Sequence, residues 1–138
     1  MKPISFAFVL VLLSAALADA QVAVIANRSV PEMSLTAAQV LDLYMLNVRA
    51  WSDGQAVALM CLREHPAEEK KFFDLLRRSP LEMRKAWLRA QLSGHARPPE
   101  MIAAQEDMAR RVAATPGAVG FVARDKVQGN VKILLVIE

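Results

Sequence analysis

The side chains with the greatest chemical reactivity lie close together in one short segment. Cys61, His65 and His95 are the only thiol and imidazole groups in the 138-residue chain. The apolar run before Cys61 predicts a strand, so Cys61 and His65 lie on either side of a strand end and do not share a helix face. A metal site needs three or four ligands in a closed geometry, which Cys61, Glu64 and His65 supply only in principle. We therefore expect no catalytic residue, no metal and no cofactor, and a non-enzymatic protein.

Four apolar runs of strand length predict the strands that position this segment. The runs are Val22–Ala26, Val57–Leu62, Ala118–Val122 and Val131–Ile137. Unbroken apolar runs are typical of strands buried on both faces, as in parallel sheets. We expect the first three to share one sheet.

Helices are predicted between the strands by capping and turn signals. Thr36 with Gln39, and Ser79 with Glu82, have the spacing of capping boxes. Pro66 predicts the start of another helix, and Pro98-Pro99 a last one. The predicted order is one strand, one helix, one strand, three helices and two strands. This order favours an α/β fold with a mostly parallel sheet and flanking helices.

The first 20 residues have the pattern of a cleaved signal peptide. Lys2 precedes an apolar run from Ile4 to Leu17, and small residues precede cleavage after Ala18 or Ala20. The run is short for a membrane span. No cysteine lies near the cleavage site, which excludes lipid attachment there. We expect export to the periplasm, with the membrane only as the export route, and one domain over residues 21–138.

A basic cluster in the second half of the chain raises the question of an anionic partner. It comprises Arg77, Arg78, Arg84, Lys85 and Arg89. Acidic residues interleave with it, and export argues against nucleic acid, so we expect no nucleic-acid binding. A solvated helical face is the main interpretation. Attraction to an acidic partner or an anionic membrane surface is the alternative.

Four short motifs in order resemble the phosphate-binding proteins of ABC transporters. The segments are Leu43–Asn47, Trp51–Gly54, Gly94–Pro99 and Pro116–Val122, which are similar to that family's Ile-Phe-Leu-Gly, Trp-x-Asp-Gly, Gly-x-x-x-Pro-Pro and Pro-Gly-Ala-Ile-Gly-Tyr segments. The resemblance covers nearly all of residues 21–138, but only one lobe of the two-lobed relatives. It implies a single three-layer lobe of the periplasmic-binding-protein type.

The same resemblance implies where phosphate would bind and why binding should be weak. In the family, the second strand ends in an arginine, and a Gly-Ser-Gly-Thr-like loop opens a helix whose N–H groups hold the oxyanion. Arg63 stands at the arginine position, but the loop here is Glu64-His65-Pro66-Ala67. Pro66 removes a backbone donor, and three glutamates crowd the helix start. Arg63 and His65 are thus candidate residues for weak binding of phosphate or another small oxyanion.

Two functions remain open from the sequence. The first is a non-catalytic, phosphate-receptor-like lobe with weak or lost anion binding. The alternative is an interaction module that partners a sensor or transporter of the envelope without binding a small ligand.

Overall fold

The computed structural model describes residues 20–138, so the predicted signal peptide, apart from Ala20, lies outside the described residues. Within the described part, no helix is long and apolar enough to cross a membrane. The strands are β1 (Val22–Asn27), β2 (Ala58–Leu62), β3 (Glu100–Ile102), β4 (Ala118–Ala123) and β5 (Val131–Ile137). The helices are α1 (Ala37–Tyr44), α2 (Pro66–Leu76), α3 (Pro80–Leu92) and α4 (Gln105–Ala114), and a 3₁₀ turn spans Arg124–Lys126.

The five strands form one mixed sheet in the order β3-β2-β4-β1-β5. β2 is parallel to β3 and β4, whereas β1 is antiparallel to both β4 and β5. Four strands therefore run in one direction and β1 runs against them. The predicted α/β class with flanking helices is confirmed, in a mixed sheet in which β1 alone opposes the other strands. The direction of β1 could not be predicted, because an apolar run buried on both faces does not encode strand direction.

Helices cover both faces of the sheet, as expected for a three-layer lobe. The ring of Phe121 in β4 stacks on Phe72 of α2, with centroids 3.9 Å apart. The neighbouring Gly120 faces the other way, where a Cβ atom would come within 2.6 Å of Met108 Sδ in α4. Since adjacent residues of a strand point to opposite faces, α2 and α4 lie on opposite sides of β4.

One predicted helix start is wrong. Pro98-Pro99 does not open a helix but leads into β3, whose three residues pair with Met60–Leu62 of β2. The helix begins only at Gln105. Two prolines favour extended backbone before and at their own positions, and a three-residue strand is too short to show alternation. Met108, Ala109 and Val112 are buried on α4.

One predicted capping box and two buried tryptophans hold the elements in place. Thr36 and Gln39 form both hydrogen bonds of a capping box. Trp87 of α3 is buried, and its Nε1 donates to Tyr44 O of α1 at 2.7 Å. Tyr44 in turn donates its hydroxyl to Met60 O of β2 at 2.7 Å. The other tryptophan, Trp51, is also buried and donates to Gly117 O at 2.9 Å.

Candidate anion site at the carboxyl edge of the sheet

The carboxyl ends of three neighbouring strands meet at one edge of the sheet. β3, β2 and β4 run in the same direction and end at Ile102, Leu62 and Ala123. α2 and α4 follow β2 and β3, so their amino ends also lie at this edge. Ligands of open α/β sheets bind outside the carboxyl ends of the strands. We call this region the carboxyl edge, and it is where an anion site is expected.

The predicted anion ligand, Arg63, directly follows β2 at the carboxyl edge. Its backbone N–H donates to Ile102 O at 3.0 Å, which ties the loop to β3, and its side chain is exposed. Glu64 then turns the chain with φ 64°, a left-handed conformation that favours glycine. This is the place where the resembling loop carries its first glycine. The left-handed turn is thus formed here without a glycine.

The ring of His65 is bound within the protein on both sides. His65 Nε2 lies 2.5 Å from Ala103 O, and Nδ1 lies 3.3 Å from Gln105 Nε2. Because a carbonyl only accepts, these partners assign the proton to Nε2 and leave Nδ1 to accept from the Gln105 amide. Gln105 Oε1 accepts from Ala123 N–H at 2.7 Å. The chain of bonds links α2, α4 and β4.

This network defines what His65 can do. It occupies the N-cap position of α2, but its side chain makes no cap hydrogen bond. A ring nitrogen could reach an added anion only if a bond to Ala103 or Gln105 were broken. Ligand binding by His65 stays a prediction, and its observed contacts are those of a structural link between elements.

The amino end of α2 is occupied by the chain's own carboxylates. Glu69 Oε2 accepts the His65 backbone N–H at 3.0 Å, and Pro66 has no N–H to offer. Glu68 Oε1 lies 3.5 Å from Gln105 Nε2. Negative charges in the first turn satisfy the helix dipole, which is the feature that would otherwise attract an oxyanion.

Negative side chains also satisfy the helix dipole at the amino end of α4. Glu106 pairs with Lys126 of the 3₁₀ turn at 3.2 Å. A hydrogen bond from its own backbone N–H, and then Lys126, lower the pKa of the Glu106 carboxyl. Asp107 in the same turn pairs with Arg110. Both helix starts at the carboxyl edge therefore carry internal anions.

The one thiol of the chain is not placed for chemistry. Cys61 is fully buried in β2, and burial, with Glu69 second, raises its pKa to about 12. A buried thiol of this kind is not a nucleophile at neutral pH. Across residues 20–138, no group of three His, Cys, Asp or Glu side chains is arranged to hold a metal ion.

No protein-family model matches this chain, and no curated protein sequence matches it. Several solved structures are similar to it. An ABC-type phosphate transport receptor from Vibrio cholerae aligns with 83% of the chain at 19% identity and a TM-score of 0.64. A putative phosphate ABC transporter substrate-binding protein with bound phosphate from Clostridium perfringens aligns with 83% at 14% identity and a TM-score of 0.67. The chain has the fold of part of a phosphate receptor.

The chain aligns with only part of each receptor structure. The chain covers 46% and 45% of these two structures, and 49% of a possible phosphate binding protein from Planctomyces limnophilus, with a TM-score of 0.61 at 12% identity. It therefore spans less than half the length of the receptors it matches. The resemblance drawn from the four motifs is confirmed at the level of the fold.

Several residues of the carboxyl edge were missed by sequence reasoning. Ala103 and Gln105 fall in the segment that we assigned to a helix opened by Pro98-Pro99, so their approach to His65 was not foreseen. Gln105 is one of two buried polar residues among those described, with Asn27. A glutamine just after Ala103-Ala104 carries no periodic signal of burial. Only the position of β3 beside β2 brings it to His65.

Proposed function

We propose that this protein is a non-catalytic, phosphate-receptor-like lobe of the periplasm in which phosphate binding is weak or lost. The single observation that carries the proposal is the hydrogen bond from His65 N–H to Glu69 Oε2 at the start of α2. A carboxylate of the chain thus accepts from the N-cap N–H, beside the helix amino end where an oxyanion would bind. The receptor fold supports a relationship to binding proteins, and the residues at the start of α2 support weakened phosphate binding.

Electrostatics at the carboxyl edge support the same conclusion. Glu64, Glu68 and Glu69 lie within one turn of the start of α2, whereas Arg63 is the cation nearest to them in sequence on the strand side. Each lost neutral donor removes about 0.5–1.5 kcal/mol, and a donor to a charged group about 1.5–3 kcal/mol. Loss of the hydroxyl donors and of the Pro66 N–H is therefore enough to move an affinity from micromolar toward millimolar, a difference of about 4 kcal/mol.

Periplasmic location belongs to the proposal and rests on the predicted signal peptide. Residues 1–20 have the charge, apolar length and small-residue pattern of an exported chain. The single buried cysteine is compatible with an oxidising compartment, because it leaves no thiol at the surface of the described residues.

A second candidate is the envelope interaction module that binds no small ligand. The closure of the carboxyl edge by internal hydrogen bonds favours it, because the first-turn carboxylates already occupy the start of α2. The two candidates differ in a measurable way. Residual phosphate binding that depends on Arg63 supports the first. No binding at about 10 mM phosphate, roughly tenfold above a millimolar dissociation constant, supports the second.

A variant series tests the proposal. Phosphate is titrated by calorimetry into the wild type, Glu69→Gln and Asp74→Asn. Removing the charge of Glu69 should tighten phosphate binding several-fold, because repulsion at the helix start falls. Asp74 lies at the other end of α2 and is the matched control, so Asp74→Asn should leave the affinity unchanged. Equal effects of both substitutions would show that the start of α2 is not the site.

A further inference from the structure

The outer face of α3 carries leucines that are exposed and do not pack in the core. Leu81, Leu88 and Leu92 are 59%, 54% and 78% exposed. At about 100° per residue they lie on one stripe, opposite the buried Met83 and Trp87. We call these three residues the leucine stripe. Met83 and Trp87 are the buried side chains of the helix, so the stripe faces away from the core.

Cations border the leucine stripe on both sides. Arg84 lies on one side, and Lys85 and Arg89 lie on the other. Across residues 77–97 there are six Arg or Lys side chains and a single carboxylate, that of Glu82. Among the described residues none of the six forms an ion pair, whereas four other cations of the chain do. The charge of this surface is therefore not neutralised by the protein.

A small crevice lies beside the stripe. It has a volume of about 240 Å³ and is lined by Arg78, Lys85, Arg89, Glu82, Met45 and Ala86. Glu82 is held at the start of α3, where its N–H and a carboxylate oxygen contact Ser79 Oγ at 3.1 and 3.3 Å. Three cations and one carboxylate thus line a space large enough for one phosphodiester group, beside leucines that suit acyl chains.

We propose that the outer face of α3 docks on an anionic lipid bilayer. The leucine stripe would enter the boundary between headgroups and acyl chains, while Arg78, Lys85 and Arg89 take a lipid phosphate in the crevice. A basic amphipathic helix lying in the interface plane binds membranes in this manner. The proposal concerns a surface away from the start of α2 and does not depend on phosphate binding there.

The dimensions of the surface favour a bilayer over a protein partner. A helix of 13 residues is about 20 Å long, and one stripe of it is smaller than the roughly 800 Å² per partner of a standard protein interface. A bilayer needs only shallow insertion of a few side chains and a field of anionic headgroups. Each Lys or Arg near such a surface adds to binding, and salt weakens the effect.

The test is flotation of the mature wild-type protein with vesicles of phosphatidylcholine alone or mixed with phosphatidylglycerol. We expect binding to the mixed vesicles only, decreasing as salt rises. The triple variant Arg78→Gln, Lys85→Gln, Arg89→Gln should bind about 100-fold more weakly. The matched control Arg110→Gln, Arg111→Gln, Lys126→Gln removes the same charge elsewhere and should bind like the wild type.

The leucine stripe is tested separately. Leu92→Glu should lose vesicle binding, while Met33→Glu, which changes a methionine that is 78% exposed elsewhere, should retain it. Both sites are on the surface, so circular dichroism should show folded protein in each case. Absence of binding to the mixed vesicles would overturn the proposal. Equal loss of vesicle binding in the two triple charge variants would also overturn it. Binding of the protein to an acidic peptide but not to the vesicles would do the same.

Discussion

At the scale of single residues, the thiol of Cys61 shows how burial decides chemistry. It lies in β2 only two residues before Arg63, yet burial raises its pKa to about 12. At pH 8 only about one such thiol in 10⁴ is ionised. We therefore expect the native protein to resist a thiol reagent and the unfolded protein to react completely. Rapid labelling of the native chain would contradict the burial of Cys61.

The same shift predicts a dependence of stability on alkaline pH. The folded pKa of Cys61 lies above the ordinary value of 9.0, so its contribution is complete below about pH 9 and is lost as pH rises toward 12. Burial also raises the pKa of Tyr44, in the same direction. Thermal unfolding between about pH 9 and 11 should show a steeper loss for the wild type than for Cys61→Ala. Identical slopes would show that the thiol does not titrate differently in the two states.

Gly117 tests the backbone requirement of the turn before β4. Its φ is 75°, and a Cβ atom would lie 2.2 Å from Ala56 O, a backbone atom that cannot move freely. We expect Gly117→Ala to lower the free energy of unfolding by roughly 2–4 kcal/mol, measured by urea titration.

Gly94 is the matched control for this change. It also has positive φ, but nothing lies within 4 Å of the Cβ position, so Gly94→Ala should cost only about 1 kcal/mol from backbone strain. Equal losses at the two glycines would mean that the close approach to Ala56 is absent.

At the scale of elements, α3 is held to α1 by Trp87. The indole is 6% exposed, and its N–H donates to Tyr44 O. Trp87→Ala should cost roughly 3–5 kcal/mol in the free energy of unfolding, as other large-to-small core changes do. Trp87→Phe is the control, because it keeps most of the packing and loses mainly the hydrogen bond, at about 1–3 kcal/mol. A loss under about 1 kcal/mol for Trp87→Ala would place the indole at the surface.

The elements were largely predictable where local signals are strong. The Thr36–Gln39 capping box and the strand over Ala58–Leu62 depend on near neighbours in the chain, and both are confirmed. β3 depends on pairing with β2, which lies far from it in sequence, and its three residues have no pattern of their own. The error at Pro98-Pro99 arose because proline signals an extended segment as well as a helix start.

At the scale of the whole molecule, the class of fold followed from the alternation of strands and helices, but the direction of β1 did not. Direction is set by the contacts of β1 with β4 and β5, which no local pattern contains. The candidate site was likewise only partly predictable from the sequence. Arg63 could be located from the end of β2, while the bonds of His65 to Ala103 and Gln105 needed the three-dimensional arrangement of β2, β3 and α4.

Export is a prediction about the whole chain. The pattern of residues 1–20 should direct the protein to the periplasm and be removed there without lipidation. Amino-terminal sequencing of the periplasmic fraction should therefore give a start at Asp19 or Gln21. An intact Met1 in the membrane fraction would contradict both the cleavage and the proposed location.

The measurement that tests the central claim most directly is the phosphate affinity of the mature wild-type protein by titration calorimetry. We predict a dissociation constant near millimolar or no detectable heat. Any residual binding should disappear in Arg63→Ala and persist in Arg97→Ala, an arginine remote in sequence from the start of α2. Micromolar binding would contradict the account. It would require donors from another loop, such as Asn27–Ser29, although Asn27 already donates to Val112 O and Ala113 O.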